Sequence, residues 1–309
     1  MKPRDLQETA LRYFLEVARG GSITAASQRL NVVPSAISRQ ITGLEEVMGT
    51  ALFERRPRGM VLSAAGEVLF AHARREALEA ERVVGEIAAL KGGERGTVRL
   101  SCTEGFAVDL LPRAIAAFQQ LHPQITFRMQ VFGLSSEVTS QISEGDADIG
   151  ITFSRQSAKG VKVEHRQRVP TVAVMRRDHP LARLKQVSLS QLAAYPIALT
   201  GPGSTVRELF DIGCSNQQLL VEPVLTSNFF QAQYVFAAAG GGICIAGDVS
   251  VRHLAAAGDM VIVPISDRGM DARHIELQTM ADRTLPQATR TFLAFLKQRL
   301  KAAVPRPAR

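Results

Sequence analysis

The chain has 309 residues, 46% of them hydrophobic and 21% charged, enough for two or three sizeable cores and too apolar for a disordered chain. The N-terminus shows no charged-then-apolar leader pattern and no apolar run reaches the length of a membrane helix, so a cytoplasmic protein with no membrane partner is expected. The formal net charge of +8 favours an anionic partner, and the three scattered cysteines, Cys102, Cys214 and Cys244, form neither a CxxC metal motif nor a disulfide framework.

Leu11, Phe14, Leu15 and Ala18 recur at helical spacing and predict the buried stripe of a first helix, which Gly20-Gly21 stops. Ser22 or Thr24 can cap a short second helix, with Ala26 and Leu30 inward. Asn31-Val32-Val33 reads as a turn, and Pro34 suits the first position of a third helix, where its missing N–H costs nothing. In that helix Ile37, Ile41, Leu44 and Met48 are expected to face the core, while Ser35, Ser38, Arg39 and Thr42 share another face. Short hydroxyls near the N-terminus and an outward arginine suit docking in a DNA major groove. Arg39 can reach guanine or phosphate, and Ser35 and Ser38 can reach either.

A two-stranded wing follows, Ala51 to Arg55 and Met60 to Leu62, with Arg56-Pro57-Arg58-Gly59 as the turn. Arg55, Arg56 and Arg58 gather at its tip, where backbone phosphate is the expected contact.

This region resembles the DNA-binding domain of the LysR-type transcriptional regulators. The resemblance is carried by Phe14, Ser22, Ala25-Ala26, Leu30, Ser35, Ser38-Arg39-Gln40-Ile41, Leu44-Glu45, Gly49, Leu52-Phe53-Glu54-Arg55 and Leu62-Ser-Ala-Ala-Gly66. It is ordered and gap-free over about fifty residues, so it is specific in a way that an isolated motif is not. Many members of the family have Gln-Pro where this chain has Pro34-Ser35, so a base contact from glutamine does not carry over. On this reading the DNA-facing residues are Ser22, Thr24, Pro34, Ser35, Ser38, Arg39, Thr42, Arg55, Arg56 and Arg58. The first domain, residues 1–62, holds nine Lys/Arg and six Asp/Glu, so the basic excess is not concentrated there.

After Ser63, a candidate N-cap, a long helix is predicted to about Leu90. Leu69, Ala73, Ala77, Ala80, Val84, Ile87 and Leu90 make an apolar stripe that fits either an interhelical seam or packing on the helix's own domain. The resemblance implies a dimerising linker helix over residues 63–92, and Gly92-Gly-Glu-Arg-Gly96 reads as a hinge to the rest of the chain.

From Thr97 strands and helices alternate. Strands are expected at Val98–Cys102, Ile125–Phe132, Ala147–Thr152, Pro170–Met175, Ile197–Leu199, Leu219–Leu225, Ile243–Ala246 and Val261–Pro264. Helices are expected at Phe106–Leu121, Ser135–Ser143, Leu189–Ala194, from Ser204, at Ser227–Ala239 and at Gln287–Leu300. This order argues for largely parallel sheets with helices on both faces. Leu110-Leu111-Pro112, His122-Pro123, Gly145-Asp-Ala-Asp-Ile-Gly150, His179-Pro180-Leu181 and Ala238-Ala-Gly-Gly-Gly-Ile243 resemble the periplasmic-binding-protein-like effector domain of the same family. The fold class is therefore an N-terminal all-α winged helix-turn-helix and linker helix, followed by an α/β effector domain over residues 93–303. Its half-domains span 97–169 with 265–303, and 170–264; residues 304–309 are a tail.

Open α/β sheets bind ligands beyond the carboxyl ends of their strands. That rule places Thr103, Glu104 and Gly105, then Leu134 and Ser135, then Phe153, at a crevice. Thr200, Gly203, Ser204, Asn228 and Phe229 face them from the second half-domain. Hydroxyls can bind polar oxygens or simply cap helices, and phenylalanines can wall an apolar body. Glu104, if it points inward, opposes a carboxylate or selects a cation.

The six histidines sit in no nucleophile–base arrangement, and no Gly-Lys-Ser/Thr phosphate loop is present, so catalysis is not expected. A solute-binding protein would account for the second half only. The resemblance implies a regulator that binds double-stranded promoter DNA, itself as a dimer or tetramer, and a small metabolite, with RNA polymerase as a further partner and no cofactor.

Overall fold

The computed structural model describes residues 3–57, 59–90, 95–155, 158–255 and 259–303, except the side chains of Arg55, 88–90, 254–255 and 302–303. The chain divides into two compact units, Met1–Arg95 with Arg283–Gln287, and Gly96–Asp282 with Ala288–Arg309.

The first unit holds α1 (Thr9–Gly20), α2 (Ile23–Leu30), α3 (Pro34–Met48), a hairpin of β1 (Phe53–Arg56) and β2 (Gly59–Leu62), and the long α4 (Ala64–Leu90). Local chemistry sets each boundary. Gly21 takes a left-handed φ of 61° and returns its N–H to the Val17 carbonyl, which closes α1. Ser22, in extended conformation, accepts from the Ala25 N–H and opens α2. Ser63 accepts from the Gly66 N–H at 3.0 Å and opens α4.

These elements enclose one core, in which Phe14, Val17, Ala26, Ile37, Ile41, Leu52, Phe53, Leu69 and Ala73 are buried. The Phe14 and Phe53 rings lie 5.2 Å apart. Glu45 accepts from the backbone N–H of Leu52 at 2.8 Å and of Phe53 at 3.4 Å, fastening the last turns of α3 to the wing. Gly66 approaches the Leu52 carbonyl so closely that a Cβ would strike it. Met48 departs from expectation: it is 48% exposed, because the final turn of α3 runs past the core. Along α4 the first turns pack on their own unit, with Leu69, Ala73, Leu78 and Ala80 buried, whereas Ile87 is 40% exposed. The stripe thus serves its own core at one end and, among the described residues, is exposed at Ile87 toward the other.

The second unit contains two five-stranded sheets. It begins with β3 (Gly96–Thr103), α5 (Glu104–Ala107), α6 (Leu110–Leu121), β4 (Ile125–Phe132), α7 (Ser135–Ser143), β5 (Ile149–Ser154) and β6 (Val161–Val169). It crosses to β7 (Thr171–Arg176), α8 (Leu189–Leu192), β8 (Ile197–Thr200), α9 (Thr205–Asn216), β9 (Leu225–Ser227), α10 (Phe230–Ala238), β10 (Ile243–Gly247), α11 (Asp248–Ala255) and β11 (Met260–Pro264). It returns through β12 (Arg273–Met280) and ends in α12 (Gln287–Ala303). The sheet orders are β4-β3-β5-β12-β6 and β11-β7-β10-β8-β9.

Three expectations about the second unit need correction. The sheets are not largely parallel: β4-β3-β5 and β10-β8-β9 run parallel, but β5-β12-β6 and β11-β7-β10 are antiparallel. The returning strands β7 and β12 enter beside strands of opposite direction, which a strand–helix alternation does not reveal. Residues 219–224 also form no strand, and pairing with β8 starts only at Leu225. The expected helix from Phe106 is two helices, α5 and α6, and β6, α11 and β12 were not foreseen.

Asp148 explains part of the Gly145–Gly150 motif. Its buried carboxylate accepts from the Arg99 backbone N–H at 2.9 Å and from the Arg99 guanidinium at 2.8 Å, which locks β3 beside β5.

Candidate functional site

The first candidate surface belongs to α2 and α3. Asn31, left-handed at φ 55°, ends α2, and Val33 leads in extended conformation into Pro34 at the head of α3. Pro34, Ser35, Arg39 and Thr42 are exposed along one side of α3, while Ser38 is half-buried. The Arg39 Nε donates to the Ser35 carbonyl at 3.4 Å, so the guanidinium lies along the helix surface. Ser22 is committed to capping, whereas Thr24 is exposed and receives the Ser27 hydroxyl only at its carbonyl. At the wing, Arg56 pairs with Glu54 at 2.9 Å, which offsets its charge. The side chain of Arg55 and the whole of Arg58 lie outside the described residues.

The second candidate is a cleft of about 610 Å³, including its open mouth, between the two sheets of the second unit. Strand ends and helix starts build it. Thr103 closes β3, Glu104 and Gly105 open α5, Ser135 opens α7, and Phe153 sits near the end of β5; all four segments line the cleft. Thr200, Ser204 and Asn228 line it from the other sheet. Three expected residues do not: Leu134 and Gly203 face each other beside the cleft, and Phe229 is 56% exposed outside it. Phe230, the first residue of α10, lines the cleft where Phe229 was expected.

The polar groups are largely engaged. The Thr200 and Ser204 hydroxyls bond to each other, and Ser204 also accepts from the Arg207 N–H at 3.1 Å, so capping α9 accounts for much of their chemistry. Glu104 points inward and reaches across the cleft. Its carboxylate accepts from the backbone N–H of Phe230 at 2.6 Å and of Gln231 at 3.4 Å, filling the positive end of α10. It thereby joins the two halves of the unit.

Sequence reasoning missed Arg273, the first residue of β12, which is only 1% exposed and lines the cleft. Its guanidinium carbon sits 3.7 Å from the centre of the Phe153 ring, which in turn stacks on Phe106 at 4.5 Å. A Cβ on Gly247 would lie 2.5 Å from one Arg273 nitrogen, so a glycine there makes room for the buried guanidinium. Burial lowers the Arg273 pKa to about 9, and the group remains cationic at neutral pH. Ser250, on the unforeseen α11, also lines the cleft. An alternating apolar pattern over 273–280 was the available signal for β12, broken by charged residues at its start.

Burial pushes the thiols of Cys102 and Cys244 up to about 12 and that of Cys214 to about 11, so none offers a thiolate at neutral pH. Among the described residues no group of three or more His, Cys, Asp or Glu is placed to hold a metal ion, and no helix is long and apolar enough to cross a membrane.

A helix-turn-helix head with a wing, joined in one chain to a two-sheet unit with a cleft, defines a ligand-responsive DNA-binding regulator. Residues 9–67 match the bacterial regulatory helix-turn-helix proteins of the LysR family, and residues 91–301 match the LysR substrate binding domain. The chain belongs to the LysR family of transcriptional regulators and is not an enzyme. It is 27% identical over 289 residues to the RuBisCO operon transcriptional regulator of Acidithiobacillus ferrooxidans, covering 93% of this chain and 92% of that protein. It is 26% identical to the HTH-type regulator YbhD of Escherichia coli, over 93% and 90% of the two chains. A full-length OxyR variant from Pseudomonas aeruginosa shares the fold with a TM-score of 0.73 at 19% identity, over 96% and 95% of the chains. CbnR complexed with its target DNA follows at TM-score 0.59 and 21% identity, over 98% and 100%. The effector binding domain of QuiR in complex with shikimate aligns at TM-score 0.56 and 18% identity, over 67% of this chain and 98% of that one.

Proposed function

We propose that the protein binds a pseudo-palindromic promoter site as a homodimer or homotetramer in the cytoplasm, and that a small metabolite in the cleft sets its DNA affinity. Residues 1–62 form the DNA head on this reading, 63–92 the linker, 93–303 the effector domain and 304–309 a tail. The observation that carries it is the exposed side of α3, where Ser35, Arg39 and Thr42 stand free of the core while Ile37 and Ile41 are buried behind them. A helix held in this way can enter a major groove, and Arg39 then meets a guanine edge or a phosphate. The wing adds phosphate contacts through Arg55, Arg56 and Arg58, which give affinity and salt dependence. The open end of α4, with Ile87 exposed, supports a helix–helix contact between protomers that pairs two heads on successive grooves.

The cleft supplies the control. QuiR holds shikimate in its effector domain, and the cleft here has the mixed polar and apolar lining that suits a small metabolite. A ligand shifts the protein between arrangements only by binding one of them better. Glu104, bonded across the cleft to α10, makes the two sheets sense one another and is the contact that a bound ligand reinforces or displaces. RNA polymerase is the partner through which such a complex would act on transcription.

The test is a gel shift and footprint of the purified full-length protein on its own upstream intergenic DNA, with competitor DNA at physiological salt. A protected region with two-fold symmetry is expected, and its affinity should respond to a compound that raises the thermal unfolding midpoint of the protein. Absence of specific protection both there and in a selection from genomic fragments would overturn the reading.

A further inference from the structure

Arg273 is a buried cation lining the cleft, and the fold leaves two of its guanidinium nitrogens without an acceptor. Among the described residues nothing accepts from its Nε or Nη1, although both atoms are buried. Burying a guanidinium without an acceptor is costly, and such a group is retained where something else completes it. The nearest buried acid on the same strand does not: Glu276 is three residues away and therefore on the opposite face of β12. It is held there by Arg166 at 3.4 Å and by the Gln278 amide at 2.9 Å. Phe153 covers one face of the guanidinium but, as a ring face, accepts no in-plane N–H bond from Nε or Nη1. Those nitrogens belong to a residue lining the cleft, and Gly247 opens the space for it.

Several helices start at this cleft, and the positive end of one is taken. Glu104 already occupies the N-terminus of α10, so an incoming anion finds no vacancy there. Glu104 pointed inward was expected to oppose a carboxylate, but its charge is spent on the N–H groups at the positive end of α10, so it opposes a singly charged ligand less than a doubly charged one. A phosphate monoester carries nearly two at neutral pH; a carboxylate carries one. The planar fork of arginine fits a carboxylate through two parallel hydrogen bonds. Beside it Phe153, Phe230, Val206 and Ile245 offer an apolar wall.

We propose that the cleft recognises a small monocarboxylate, its carboxylate held by the Arg273 guanidinium and its apolar body lying against Phe153 and Phe230. This rests on the reading of the cleft as the effector site, and it makes Arg273 the residue that selects an anion over a neutral isostere.

The experiment is calorimetry and thermal unfolding of the full-length protein with benzoate and butyrate, their neutral counterparts benzamide and butyramide, and inorganic phosphate. At least one of the two carboxylates should bind, its amide should bind about 10- to 100-fold more weakly, and phosphate should not compete. Arg273→Met should remove the preference for the carboxylate, and Arg273→Lys should keep part of it. Ser135→Trp, which fills the cleft mouth, should abolish binding of both. Equal binding of acid and amide, lost in Ser135→Trp and kept in Arg273→Met, would overturn the anion assignment and leave the cleft as the effector site. Carboxylate binding that survives Ser135→Trp, or no binding of either carboxylate to the wild type, would also overturn it. The effector reading itself would then stand or fall on the footprint and unfolding screen described above. The wild-type comparison of acid with amide needs no variant, so a poorly folding Arg273→Met does not remove the test.

Discussion

The two units expose their chemistry in opposite ways. In the first, the candidate surface is the outside of a single helix, and Ser35, Arg39 and Thr42 lie within eight consecutive residues. In the second, the cleft draws on residues from Thr103 to Arg273, brought together by two sheets between which the chain crosses twice. A surface on one helix depends on local geometry, so a head needs only a small core behind it. A cleft between sheets depends on every crossing of the chain, so it can be closed, opened or charged by residues far apart in sequence. The difference fits the proposed division, in which the helical unit reads DNA and the composite one senses a ligand.

Breaking the head should leave the cleft intact. Gly66→Ala forces a Cβ into the Leu52 carbonyl and should destabilise the first unit by about 3 kcal/mol. Two calorimetric transitions should separate, the head melting early while ligand binding to the second unit persists; a single joint shift would show that the units do not fold independently. Arg39→Ala removes a side chain that carries no core contact, and should weaken operator binding about 10- to 100-fold without changing the unfolding midpoint. Unchanged affinity at moderate salt would take Arg39 out of the DNA face.

Glu104→Gln sharpens the other side of the comparison. It weakens the charge at the start of α10 and should cost about 1 kcal/mol. Hydrogen exchange at the Phe230 and Gln231 amides should quicken several-fold, and unaltered protection would mean that the contact does not join the halves. The smallest effect is expected at Ser22→Ala, which removes the cap of α2 and should lower the stability of the head by about 1 kcal/mol or less. No change in its melting would mean that water caps α2 equally well.

The same contrast decides what could be read from the amino acids alone. Spacing of three and four places Ile37 and Ile41 inside and Arg39 outside, because one helix face maps directly onto residue number. It fails at Met48, where the helix outruns the core, a matter of tertiary extent rather than period. In the second unit, the rule that ligands sit beyond strand ends finds Thr103, Ser135, Phe153, Thr200 and Ser204. It cannot choose between Phe229 and Phe230, since a shift of one residue in the start of α10 swaps them. Arg273 escaped because β12 joins its sheet antiparallel after a long return, and a lone arginine at a strand start looks like surface. Its burial comes from Phe153 and Gly247, both more than twenty residues away.

The central claim is that the exposed side of α3 reads DNA sequence. Its most direct test is to select bound fragments from the source genome with the wild-type protein and with Arg39→Ala, at the same moderate salt. The account predicts that wild type enriches fragments sharing a two-fold symmetric motif and that Arg39→Ala loses this enrichment while remaining folded. Identical enrichment by both proteins, or no shared motif with either, would contradict it.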